Sequence, residues 1–162
     1  MGEDGKAEVI KPPSNLRSKV QVGGPGAVDP NTLERAEAVI AGLADQYLDW
    51  VQDDLVRMEA AFAKLAAATG DRKAEMDGVF QIAHDMKGQG GSFDYNLVTI
   101  IGNDLCRFIE KSEAIGPQQV GVVRLHIDTM KLVIASQMKG DGGDEGAKLL
   151  KGLELVVAKV AG

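Results

Sequence analysis

Phe80-Gln81-Ile82-Ala83-His84-Asp85-Met86-Lys87-Gly88-Gln89-Gly90-Gly91-Ser92-Phe93 is the stretch on which the reading of this chain turns. Its apolar residues recur every three to four positions, so it reads as a helix at 100° per residue. With His84 at the top of the projection, Asp77, Gln81, Gly88 and Gly91 fall within about one side-chain width of it. Phe80 and Lys87 lie just beside them. Val79, Ile82, Met86, Gly90 and Phe93 fall on the opposite side and face a core. Glycine in a helix costs about 1 kcal/mol relative to alanine, so each one here calls for a reason. Close helix packing accounts for Gly90. Gly88 and Gly91 flank an outward histidine, where bare backbone leaves room for a bulky partner to reach the imidazole. Lys87, one turn on, puts a positive charge where an anion on His84 would sit.

The flanking sequence extends this pattern. Asp29-Pro30 supplies an N-cap followed by proline at the first helical position. From there Leu33, Ala36, Ile40, Leu43, Tyr47, Trp50, Leu55, Met58, Phe62 and Leu65 keep a three-to-four spacing. That run is long for one globular helix. A break near Gly42 to Asp45, with Asp45 as cap, predicts a short helix followed by a long one. Gly70-Asp71 stops it and starts the next helix, expected over about residues 72–92. Asp94 is a cap for a third helix with the stripe Leu97, Ile100, Ile101, Leu105, Phe108 and Ile109. Gly116-Pro117 opens a fourth, expected over 117–138, with Val120, Val123, Ile127, Met130, Ile134 and Met138 facing inward. Lys139 to Asp144 reads as a flexible linker before a last amphipathic helix carrying Leu149, Leu150, Leu153, Val156, Val157 and Val160. That last helix can pack back, pair with another copy or bind a partner; the sequence leaves the three open. No segment alternates with period two for long enough to make a strand.

The expected fold class is therefore all-α, an antiparallel up-down four-helix bundle with a short extra N-terminal helix and an additional C-terminal helix. Residues 1–29 form a flexible tail, 30–138 the bundle, and 139–162 the linker and last helix. In the tail, Lys11 to Lys19 is either part of a disordered leader or a short basic docking motif.

Composition narrows the function. The chain has 162 residues, net charge −6 and pI about 4.9, which argues against nucleic acid or an anionic membrane as partner. The one cysteine, Cys106, reads as a small buried hydrophobe and fits a reducing, cytoplasmic setting. No run approaches 18 apolar residues and no signal-peptide pattern opens the chain. With two histidines and one cysteine, a zinc site is poorly provided for. His126 reads as structural or simply exposed. Gly88-Gln89-Gly90-Gly91 is no nucleotide loop, since it lacks the GxxxxGK[ST] pattern and follows a helix rather than a strand.

The spacing His84-x-x-Lys87-Gly88-x-x-Gly91-Ser92-Phe93 resembles the active helix of histidine phosphotransfer (HPt) domains, over roughly residues 30–138. Met86 stands where many such helices have leucine or isoleucine, a volume-conserving change. The resemblance implies that His84 accepts and donates a phosphoryl group, with Lys87 stabilising its charge. Asp77, Phe80, Gln81, Gly88 and Gly91 would form the docking and access surface. The implied partners are response-regulator receiver domains and a hybrid or sensor histidine kinase. The chain would need no cofactor or metal of its own, Mg2+ being supplied on the receiver, and would not be an autokinase. Phosphoryl transfer is mainly positioning and charge stabilisation, so such a carrier has little to supply beyond nucleophile, cation and open space. The competing reading is a non-phosphorylated helical adaptor that binds a receiver or another signalling protein.

Overall fold

The computed structural model describes residues 29–161; the expected tail, apart from Asp29, lies outside the described residues. Those residues form five α-helices: α1 Pro30–Ala67, α2 Lys73–Gly90, α3 Asn96–Lys111, α4 Pro117–Ala135 and α5 Gly143–Ala161. A single 3-10 turn, Gly91–Phe93, follows α2. The class is all-α.

The helix starts follow from local chemistry. Asp29 Oδ1 accepts the Asn31 N–H at 3.3 Å, with Pro30 in the first turn. Asp71 Oδ1 accepts the Lys73 N–H at 3.0 Å and so serves the start of α2. At α4, Gln119 Oε1 reaches back to the Gly116 N–H at 2.9 Å. α4 ends earlier than its apolar pattern suggests. Gln137 turns left-handed (φ 49°), and the Gln137 and Met138 N–H groups bond to the Ile134 and Val133 carbonyls. This is the six-to-one, five-to-two closure of a Schellman end.

Three expectations are corrected. α1 runs unbroken for 38 residues, about 57 Å at 1.5 Å per residue, so the expected short N-terminal helix is simply its first part. Gly42 costs some helix propensity, but Ile40, Leu43 and Tyr47 continue one face across it, and Asp45 is an exposed interior residue rather than a cap. Asp94 does not cap α3. It adopts the left-handed conformation (φ 68°), which Asp tolerates better than most residues, and its carbonyl accepts the Gly140 N–H at 2.6 Å. The segment before α5 is accordingly a tied turn rather than a free linker, with Gly140, Gly142 and Gly143 at positive φ and the Gly143 N–H on Asp141 Oδ1.

α1 packs on α2, α2 on α3, α3 on α4 and α4 back on α1, while α5 lies against α4 and α3. The core between them contains Tyr47, Val51, Leu55, Met58 and Leu65 of α1 and Met76, Val79, Ile82 and Met86 of α2. Leu97, Ile101 and Leu105 of α3, Ile127 and Met130 of α4, and Leu153 of α5 join it. Four residues of the expected stripes are exposed: Ala36, Trp50 (41%), Ile100 (42%) and Val156 (38%), while Val51 and Val98 are buried beside the second and third of them.

Polar ties fix the register. Arg124 grips both Glu59 oxygens across α4 and α1, bonds Asp128 one turn on, and stacks over the Phe62 ring at 4.7 Å. Lys131 reaches the same Glu59 at 3.0 Å. Arg72 donates to the Ala68 and Ile115 carbonyls, joining the end of α1 to the α3–α4 connection.

Candidate functional site

α2 presents His84 on its outer side. Met76, Val79, Ile82, Ala83 and Met86 are buried, and His84, Asp77, Gln81 and Gly88 are exposed, as the helical projection requires. Phe80, one turn before His84, is half-buried. Its ring packs on the edge of the core and also stacks with the imidazole, at 6.0 Å between centroids and 29° between planes. Phe80 and Asp77 also line a groove of about 330 Å³ with Met76, Ile109 and Ile115.

The glycines divide by surroundings. A Cβ added at Gly88 would meet nothing within 4 Å, so the space beside His84 is open. At Gly90 it would collide with Thr99 Oγ1 at 2.7 Å and the Tyr95 carbonyl at 2.8 Å. Gly90 thus exists to let α3 begin against α2, as close packing predicts. Gly91 is exposed but belongs to the 3-10 turn, and its missing Cβ points toward Thr99 and Asn96 at 3.7 and 3.8 Å.

Lys87 is half-buried, and α3 holds it at three levels. Thr99 Oγ1 donates to the Lys87 carbonyl at 2.9 Å, and Lys87 Nζ donates to Asn103 Oδ1 at 3.3 Å. Between these two, Gly102 backs onto the lysine so closely that a Cβ there would stand 2.9 Å from Lys87 Cβ. Sequence reasoning missed Thr99, Gly102 and Asn103. A glycine inside a strongly amphipathic helix was the available signal for the second of them.

The rest of the chemistry-bearing residues lie elsewhere. His126 is fully buried between α3 and α4, with Nδ1 2.8 Å from the Val122 carbonyl and Nε2 3.2 Å from Asp104 Oδ2. Its role is structural, one of the two expected, and burial closes it to a partner. The His126 hydrogen bond holds the Asp104 carboxyl below its ordinary range. Cys106 is buried in the core; burial pushes its thiol up, opposed by the charge of Lys87. Among the described residues, no group of three His, Cys, Asp or Glu side chains gathers as a metal site, and no helix is long and apolar enough to cross a membrane.

No protein-family model matches this chain, and neither does any curated protein or solved structure.

Proposed function

We propose that this chain is a histidine phosphotransfer protein of a two-component phosphorelay, with His84 as the residue that takes up and passes on the phosphoryl group. The observation that carries the reading is the exposed imidazole on the outer side of α2, beside open space at Gly88 and with Lys87 one turn along. The cyclic packing of α1 to α4 suits an antiparallel four-helix bundle of the HPt kind, with α5 as an addition.

In the proposed step an imidazole nitrogen of His84 attacks the phosphorus of an aspartyl phosphate on a response-regulator receiver. The N–P bond forms, the P–O bond breaks, and the aspartate leaves as a carboxylate. An imidazole can offer a neutral ring near pH 7, so no separate base is required. The receiver contributes Mg2+ and most of the charge stabilisation. Lys87 offsets charge on the phosphoryl oxygens. Phe80 and the exposed Asp77 and Gln81 form the neighbouring docking surface. A hybrid or sensor histidine kinase is the other partner, and the relay works in the cytoplasm.

The test is incubation with a panel of phosphorylated receivers and Mg2+, with phosphoramidate as a small-molecule donor in parallel. Label should enter wild type in acid-labile, base-stable form and be absent from His84→Gln, whose melting temperature should stay nearly unchanged because the side chain is exposed. Receiver binding without any label would turn the assignment toward an adaptor. Label persisting in His84→Gln would overturn it.

A further inference from the structure

We infer that Asn103 is a positioning residue for Lys87: it holds the ammonium in place beside the phosphoryl site without cancelling its charge. The inference rests on reading His84 as the phosphoryl acceptor.

A lysine side chain is a flexible stem with a strongly hydrated head, and on an open helix surface it wanders. Lys87 does not stand free in this way. Thr99, Gly102 and Asn103 fall at positions i, i+3 and i+4 of α3 and so form one ridge along it. The Thr99 hydroxyl fastens the lysine backbone at 2.9 Å. Gly102 admits the lysine Cβ, and the Ala83 carbonyl stands 3.3 Å from where a Gly102 Cβ would be, so the two helices touch at this level. Asn103 Oδ1 then receives the ammonium at 3.3 Å.

The kind of acceptor is what matters. An amide oxygen takes a hydrogen bond and carries no net charge, whereas a carboxylate in the same place would form an ion pair. Among the described residues no carboxylate forms an ion pair with Lys87, although the protein has 24 Asp and Glu residues in all. The charge is held and left available to an incoming anion. The ligand it suits is a phosphoryl dianion on the adjacent imidazole, one turn toward the start of α2.

Asn103→Asp separates this role from a merely structural one, because it keeps the shape and the accepting oxygen while it exchanges the amide NH2 for a charged carboxylate oxygen. The probe is phosphoramidate: its P–N bond breaks, ammonia leaves, and His84 gains the phosphoryl group, followed by 31P NMR. Asn103→Asp should slow uptake about five- to tenfold, matching Lys87→Ala, and should add nothing further in a Lys87→Ala background. Asn103→Gln, which keeps a neutral oxygen, should stay within about threefold of wild type. Wild-type uptake with Asn103→Asp at the wild-type rate would overturn the positioning role alone. So would an Asp effect that persists undiminished without Lys87, since it would then act directly on the donor. A wild type that takes no label on His84 would instead overturn the acceptor reading, and this inference with it.

Discussion

Gly102 on α3 and Lys87 on α2 meet so closely that one added carbon on the glycine would stand 2.9 Å from Lys87 Cβ, closer than such atoms pack. The contact sets how near α3 lies to the helix that carries His84. It also fixes the root of Lys87, one turn along α2 from that histidine.

Gly102→Ala should therefore destabilise the protein by about 1–3 kcal/mol, since overpacking at a helix–helix contact outweighs the roughly 1 kcal/mol gained in helix propensity. Gly88→Ala should do the reverse. Its Cβ meets nothing within 4 Å, so stability should rise by up to about 1 kcal/mol. The same methyl should slow transfer from a receiver by intruding beside His84. Urea unfolding of the two variants against wild type checks the opposite signs. A stabilised Gly88→Ala with undiminished transfer would show that Gly88 is not kept for access.

Lys87→Ala should slow single-turnover transfer from a phosphorylated receiver by about tenfold, roughly 1.4 kcal/mol, and leave the fold intact. The effect should shrink as ionic strength rises, because the site is open to solvent and salt screens it. Lys87→Arg should retain much of the rate, charge counting for more than shape. Rates measured at low and high salt decide this. Complete loss in Lys87→Ala would mean the lysine does more than balance charge.

The α1–α4 tie has a pH signature. Hydrogen bonds from Arg124, with Lys131 adding to them, lower the Glu59 carboxyl from its ordinary 4.5 to about 2. A depressed carboxylate contributes stability that is present above the unfolded value and lost as pH falls through the folded one. The stabilisation should accordingly fade between about pH 4.5 and pH 2. The Glu59 side chain is 36% exposed, so solvent screening keeps its share to about 1 kcal/mol. Glu59→Gln should lower stability at neutral pH by that amount and flatten the acid limb in this window. Denaturant midpoints at pH 7, 4 and 2.5 for both proteins measure it. Parallel acid limbs would show that the ion pairs do not contribute.

Leu153 tests whether α5 is part of the cooperative unit. It is 3% exposed within the common core, and Leu149, Leu150, Val157 and Val160 of the same helix pack against that core. Leu153→Ala should cost about 2–5 kcal/mol and keep a single unfolding transition followed by far-UV circular dichroism. A cost below about 0.5 kcal/mol, or a separate early transition, would show that α5 docks only loosely.

The sequence carried the helices and their inward faces because an amphipathic helix writes its orientation into a local three-to-four repeat. Val79, Ile82 and Met86 point in and His84 and Gly88 point out for that reason alone. Capping chemistry set the starts at Asp29-Pro30, Asp71 and Gly116-Pro117. The same local signals misled at Gly42 and at Asp94. In the first, a single glycine could not outweigh a continuous apolar face; in the second, the backbone at Asp94 is left-handed, its carbonyl accepts the Gly140 N–H from far along the chain, and its side chain does not cap α3.

Periodicity by itself determined which residues α2 shows to solvent, and hence that a histidine, a lysine one turn on and a bare glycine share one surface. Only the tertiary structure decided what stands behind them. That Gly102 receives Lys87, that Asn103 accepts its ammonium, and that α5 folds back through Leu153 all depend on how side chains from distant parts of the chain interdigitate. A repeat along one helix gives the direction of its buried face. It carries no record of the height at which a neighbouring helix crosses it, which packing between the two helices sets.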